Sequence, residues 1–305
     1  SKWAFLAYLF AFFGMIGGLP AVQSNQMVQI ITEFAMPILS FDNQLVFDIV
    51  CGLIIAVLAG TVIIGGLTRI AKASSWLVPI MGGLYVLTAT FILIANYEDV
   101  PNVIKTIFSD AFTGTSVAGG TLMGVIMYGI QRGAFSNEAG IGTEALIHGT
   151  AKTNSPIKQG FVAMIGPIFD TLLICTATAV VIILSGLWMG DQYSGVSLTA
   201  MAFQTFLGSI GVVVVFLCVV FFGISTIFTY SYYGSVCARF LFGPKGQKIY
   251  LYVFIATIIF FASISLDSAI NIIDGSFAMM AIPTLISSII LAPKVIAEAN
   301  KFLAR

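Results

Sequence analysis

Charge is what this chain has least of. Charged residues make up 9% of its 305 positions, against about 25% in an ordinary soluble domain. Hydrophobic residues reach 59% and the mean hydropathy is +1.04, so a bilayer is the solvent for most of the chain. The 13 Lys and Arg balance the 13 Asp and Glu; no basic surplus exists to hold a phosphate backbone, which excludes nucleic acid as a partner. The only histidine, His148, has no Cys or His cluster around it. That leaves neither a serine triad nor a zinc set, and no enzyme is expected. Four cysteines, Cys51, Cys175, Cys218 and Cys237, stand singly without paired spacing and read as small buried hydrophobes. No cleavable signal is visible. The chain opens on Ser1 rather than Met and enters an apolar helix at once, so an N-terminal portion is expected to be missing.

What is abundant is long apolar runs. A crossing helix needs about 20 apolar residues, and eight such segments follow one another in a single domain over residues 1–305. The first starts at Trp3 and continues past Pro20 toward Pro37 as one long tilted helix. Gln44–Leu67 and Ser75–Asn96 come next. Tyr97–Thr115 is amphipathic, with Glu98, Asp99 and Asp110 beside Ile104, Ile107 and Phe108, and reads as an interfacial segment. Ala118–Phe135 is a short, glycine-broken fourth span and Gln159–Trp188 the fifth. Asp191–Leu207 reads as an external loop with a small helix. Ser209–Tyr233, Ile249–Ser265 and Ser268–Leu291 complete the set. The class is all-α: a polytopic helix bundle, multi-pass in the cell (plasma) membrane and in contact with its lipid.

The basic residues orient it, because cytoplasmic loops of membrane proteins collect Lys and Arg. With the first helix entering from the cytoplasm, the inner loops hold Lys2; Arg69 and Lys72; Arg132, Lys152 and Lys158; Arg239, Lys245 and Lys248; and Lys294, Lys301 and Arg305. Only Lys105 of the 13 falls outside.

Ionisable groups inside the spans are few. Asp170 lies about 16 Å into the fifth helix, where a central Asp costs about 2.5–3.5 kcal/mol on insertion scales. With no basic residue expected at that depth, it is either a carboxylic acid bonded to Thr171, Thr176, Thr178 or backbone, or an ion ligand. Asp274 is nearer the outer end of the last helix, where a structural role is expected. Two intramembrane aspartates raise the thought of a protease, but Ile272-Ile273-Asp274-Gly275-Ser276 lacks the Gly-x-Gly-Asp pattern.

Three stretches concentrate polar atoms at membrane depth. In the first helix, Gln23, Asn25 and Gln26 offer carboxamides, which donate to a carboxylate and accept from an ammonium as an amino acid requires; interhelical bonding is the alternative. In the sixth, Ser225 and Thr226 put two hard oxygens on one turn, suited to a monovalent cation, unless they merely bond the preceding turn. Tyr230 shares a face with Thr226. Between the two lies a glycine-rich break at Gly119-Gly120-Thr121 with Gly124, read as an unwound, ligand-lined point or as close small-residue packing. It leads into Gln131-Arg132-Gly133-Ala134-Phe135-Ser136-Asn137-Glu138-Ala139-Gly140-Ile141-Gly142. Ser136, Asn137, Glu138 and Lys152 there suit either a hydrogen-bonded cap and loop or a cytoplasmic gate.

The last run resembles RG-x-FSNEAG-x-G of the alanine or glycine:sodium symporter family, in the amino acid–polyamine–cation superfamily. Val22-Gln23-Ser24-Asn25 is similar to the family's VQAN, although Pro20 and Gln26 depart from its pattern. Gly223–Gly234 is similar to FSTILGWSYYG, with Tyr230 in place of the usual Trp. The likeness extends from Trp3 through the eighth span. It implies a five-plus-five inverted-repeat fold of leucine-transporter type, apparently lacking its first two helices. It implies sodium-coupled symport of a small neutral amino acid, alanine or glycine, by alternating access. Gln23, Asn25, Gly119, Gly120, Thr121, Gly124, Thr226 and Tyr230 would line the substrate, and Ser225 with Thr226 would ligate sodium, a proton being the other coupling ion. The competing classes are an amino acid channel or facilitator, which need neither saturate nor use an ion gradient, and a non-transporting membrane scaffold.

Overall fold

The computed structural model describes residues 3–112, 122–190 and 192–304; of the expected site, Gly119, Gly120 and Thr121 lie outside the described residues. In chain order the helices are α1 (Ala4–Gly17), α2 (Ala21–Ala35), α3 (Gln44–Ile63), α4 (Leu67–Ala95), α5 (Val100–Phe112), α6 (Leu122–Asn137), α7 (Thr143–His148), α8 (Pro156–Pro167), α9 (Thr176–Ser185), α10 (Val196–Leu207), α11 (Ser209–Ala262) and α12 (Leu266–Leu303). No strand occurs among the described residues. The protein is an all-α polytopic bundle.

Among the described residues, six stretches are long and apolar enough to cross a bilayer: Ala4–Ala35, Gln44–Ile63, Leu67–Ala95, Pro156–Ser185, Ser209–Ala262 and Leu266–Leu303. The first is α1 and α2 together. The chain jogs at Gly18 and Leu19, and Pro20, which has no N–H to lose, stands where α2 begins. The fifth is two crossings. Gly243 takes φ 72° and ψ −170° immediately before Pro244, so α11 doubles back there, and the Tyr250 ring of its second arm lies against Gly234 of its first. With the arms of α11 counted separately, the described helices make seven full crossings, and the 16-residue α6 enters the membrane region as well.

Two details of the hydropathy reading change. The expected loop at 234–248 is a tight reversal with helix on both sides. The stretch after Asp191 is more than an external loop: α10 buries Ala200, Ala202 and Phe203 completely. They join Ala89 and Ile92 of α4, Val181 of α9 and Val215 of α11 in a second core. The main core packs α2, α3, α11 and α12, with Met27, Ile227, Phe254, Ile258 and Met280 almost fully enclosed. Ile30 places α2 in the second core as well.

In lipid, helices associate through close packing rather than water exclusion, and small residues set the approach. Gly223 does this for the pair that matters most. A Cβ there would fall 2.2 Å from Met27 Sδ and 3.7 Å from the Gln23 carbonyl. The α2–α11 crossing is therefore as close as a glycine permits.

Candidate functional site

The polar residues of α2 divide by depth. Toward the outside, Asn25 Nδ2 donates to the Ile264 carbonyl (2.6 Å), tying α2 to the end of α11. Gln26 donates to Gln29 Oε1 (2.7 Å) and accepts from the Val196 backbone N–H (2.9 Å) at the head of α10. Gln29 and Glu33 both bond the Ser197 hydroxyl, and Thr32 donates to Asp48 of α3 (2.6 Å). Above Asn25 a recess of about 740 Å³ opens between these elements. Glu33, Asp42 and Asp48 line it, and among the described residues no Lys or Arg does.

Further in, the Gln23 side chain lies beside Tyr230. The two residues stand out separately on the sequence, and the α2–α11 crossing brings them together. Tyr230 is 4% exposed; its ring lies 5.8 Å from that of Tyr233 and 6.4 Å from that of Phe277 on α12. Phe135 of α6 stacks obliquely on Phe277 at 4.9 Å. The result is an aromatic wall around one polar contact.

Thr226 lies three residues after Gly223 and four before Tyr230, on the stripe of α11 that faces α2. Ser225, 5% exposed, turns its hydroxyl back to the Phe222 carbonyl at 2.9 Å, the local bond that helical serines commonly make. Its oxygen retains acceptor capacity for a cation. At this level α2 and α11 are continuous helices, so their backbone carbonyls are held along the helix. Gly124, on α6, is exposed.

A group that reads on the sequence as cap, loop or gate proves central to the geometry. Glu138 follows α6 with φ +57°, a left-handed value rare outside glycine. Its Oε2 accepts from Thr143 Oγ1 at 2.6 Å, and Tyr230 and Tyr233 of α11 lie beside its carboxyl. The sequence signal is an acid in a helix-breaking run of glycines; its contact with the two tyrosines depends on tertiary packing.

The same run corrects the placement of Arg132, which the charge pattern puts in an inner loop. Its Nη2 lies 2.6 Å from Asp274 Oδ2, and Gln131 donates to that oxygen at 2.8 Å. Asp274 is eight residues into α12, about 12 Å below its outer end, so a basic residue does occupy the membrane interior. The guanidinium also stands over the Tyr128 and Phe135 rings, at 5.0 and 5.7 Å. The reason is the depth at which α6 stops. Asn137, its last residue, bonds Thr171 at 3.0 Å, fifteen residues into the crossing that begins at Pro156. Residues 138–148 therefore fill the inner half of the bundle instead of lying on its surface, and the remaining eleven inner cations keep the orientation. Thr284 of α12 donates to the Ile141 carbonyl at 3.0 Å. Gly142, at φ +100°, leaves no room for a Cβ between Thr284 and Phe10.

Asp170 has no cationic partner among the described residues. It accepts from Ser136 Oγ at 2.6 Å and Thr171 Oγ1 at 3.3 Å. It sits in a π-helical segment, Ile168–Cys175, of a kind that often marks functional places in helices. Thr176 bonds the Thr171 carbonyl at 3.1 Å across that widened turn, while Thr178 bonds Tyr85.

Multiple apolar crossings around a buried polar contact, beneath a polar outer recess, define an integral multi-pass membrane protein. The chain belongs to the sodium:alanine symporter family, whose model matches residues 1–305. It is 36% identical over 98% of its length to an uncharacterized transporter of Haemophilus influenzae. It is 35% identical over 97% of its length to the sodium/alanine symporter AgcS of Methanococcus maripaludis, and 33% identical over 86% to the probable sodium/glutamine symporter GlnT of Bacillus subtilis. It spans 66%, 65% and 55% of the lengths of these three relatives.

Proposed function

We propose that this protein carries out sodium-coupled symport of a small neutral amino acid, alanine or glycine, across the cell membrane by alternating access within an inverted-repeat bundle. The observation that carries the reading is the meeting of Gln23 with Tyr230 at the glycine-limited α2–α11 crossing. That contact lies inside an aromatic wall and below an outer recess whose charged residues are all acidic. The Gln23 carboxamide serves either end of a zwitterion. Tyr230, Tyr233 and Phe277 bound the space for its side chain. Thr226, with Ser225, supplies hydroxyl oxygens to sodium on the adjoining turn.

GlnT is named for glutamine, so glutamine is the competitor to beat. Discrimination by volume is worth about 1–3 kcal/mol per methylene in an apolar pocket. The test is uptake of labelled alanine by the full-length protein in proteoliposomes under an inward sodium gradient. Uptake is expected to saturate, to vanish without the gradient, and to be displaced well by alanine and glycine but weakly by glutamine, leucine and phenylalanine. Equal displacement by the bulky amino acids sinks the substrate assignment, and uptake without saturation favours a channel. A proton gradient that replaces sodium would reassign the coupling ion.

A further inference from the structure

Transport needs an inner barrier as well as a pocket, and Glu138 stands where such a barrier would be. The outer recess ends at Asn25. On the inner side, a groove of about 670 Å³ runs among α1, α7, α11 and α12, lined by Phe10, Gly142, Ala145, Cys237 and Thr284. Neither wall includes Gln23, Tyr230 or Glu138. Tyr230 and Tyr233 are 4% and 6% exposed, and the 138–148 segment lines the inner groove through Gly142, Ala145 and Leu146.

What holds this segment is a short set of contacts. Glu138 reaches Thr143 at the head of α7, and Tyr230 and Tyr233 of α11 lie beside Glu138. Thr284 of α12 holds the Ile141 carbonyl. The charged or titratable groups bearing on the Glu138 carboxyl are Tyr230 and Tyr233 from α11 and Glu144 from α7; neither ion pair among the described residues includes it. Glu138 also keeps a positive φ that any residue with a Cβ disfavours, and such strain persists where surrounding contacts enforce it and is common at switch segments. One of its partners, Tyr230, also lies beside Gln23, so a ligand drawn in between Gln23 and Tyr230 competes directly with the contact that keeps the segment shut.

We propose that Glu138 is the latch of the inner gate: its carboxyl, gripped by Thr143, Tyr230 and Tyr233, holds the 138–148 segment under the substrate residues, and it must let go for the amino acid to pass to the cytoplasm. It is a positioning residue, acting through the tyrosines, and it deepens the transport reading above.

The test uses accessibility and so stands apart from transport. Cys237 is 3% exposed on the inner groove and becomes the reporter. Full-length protein in inside-out vesicles is treated with a membrane-impermeant maleimide, and modification of Cys237 is read by mass spectrometry beside Cys51 and Cys218. Loss of one latch contact should speed Cys237 labelling about fivefold, the factor that ~1 kcal/mol represents. Glu138→Ala, which loses the Thr143 bond and both tyrosine contacts, should exceed Tyr233→Phe, which loses one contact; Glu138→Gln, which still accepts, should stay near wild type. Cys51 and Cys218 should remain protected. If Glu138→Ala does not assemble, Tyr233→Phe decides alone. Wild-type labelling rates in Tyr233→Phe and in any assembled Glu138→Ala overturn the latch, even where uptake falls. Conversely, failure of sodium-driven uptake in wild type with the labelling order intact would remove the substrate reading and leave the latch.

Discussion

Thr226 is the residue on which the sodium assignment rests most heavily. Ser225 already directs its hydroxyl proton to the Phe222 carbonyl, whereas Thr226 is half-buried on the stripe between Gly223 and Tyr230. Thr226→Val keeps the branched shape and removes the oxygen. A hydrogen bond or ligand of this kind is worth about 1 kcal/mol net. The full-length variant is therefore expected to need several-fold more sodium for half-maximal uptake, with assembly and the alanine maximum little changed. An unaltered sodium requirement would remove Thr226 from the ion site. At the same scale, Asn25 is a substrate candidate by resemblance, and its carboxamide is engaged by the Ile264 carbonyl; that is the interhelical alternative that the sequence leaves open.

Among elements, α6 is the one whose setting differs most from its hydropathy profile. Its glycines and its polar tail suggest a helix that reaches the inner surface at Arg132. Instead it hangs from three polar ties at mid-depth: Arg132 to Asp274, Ser136 to Asp170 and Asn137 to Thr171. The first is the most testable. An unpaired charge at the centre of a membrane helix costs about 2.5–3.5 kcal/mol, and breaking one partner of an enclosed pair is worse than removing both. Arg132→Gln alone should therefore lower the thermal stability of the detergent-solubilised protein clearly, as should Asp274→Asn alone. The double variant should recover much of the loss. Additive losses in the double variant would mean that the two side chains do not interact in the membrane. The crossings themselves are legible because an apolar run of about 20 residues suits a bilayer and little else. The depth of α6 is not, because hydropathy sees composition and is blind to an arginine hidden by an aspartate 142 positions away. The Gln23 and Tyr230 pairing is legible as two polar points on two helices; that Glu138 joins them depends on α6 ending early.

Across the whole molecule, charge and depth must agree. Moving Arg132 into the interior leaves Lys2; Arg69 and Lys72; Lys152 and Lys158; Arg239, Lys245 and Lys248; and Lys294, Lys301 and Arg305 on one side, with Lys105 on the other. That alternation survives only if α11 is two crossings joined at Gly243 and if α6 together with residues 138–148 completes one more. Were α11 a single straight rod of 54 residues, it would be about 80 Å long, far beyond a hydrocarbon core of about 30 Å. It would also place Lys294 opposite Lys152. The orientation can be read directly. In intact cells, a cysteine replacing Lys105 should react with an impermeant maleimide, whereas cysteines replacing Lys152 or Lys245 should react only after permeabilisation. The same orientation puts the acid-lined recess above Asn25 on the sodium-rich side, where a cation and an amino acid would first arrive, and puts the Glu138 segment on the side of release. Labelling of Lys152→Cys from outside would invert the bundle, and the recess would then be the exit.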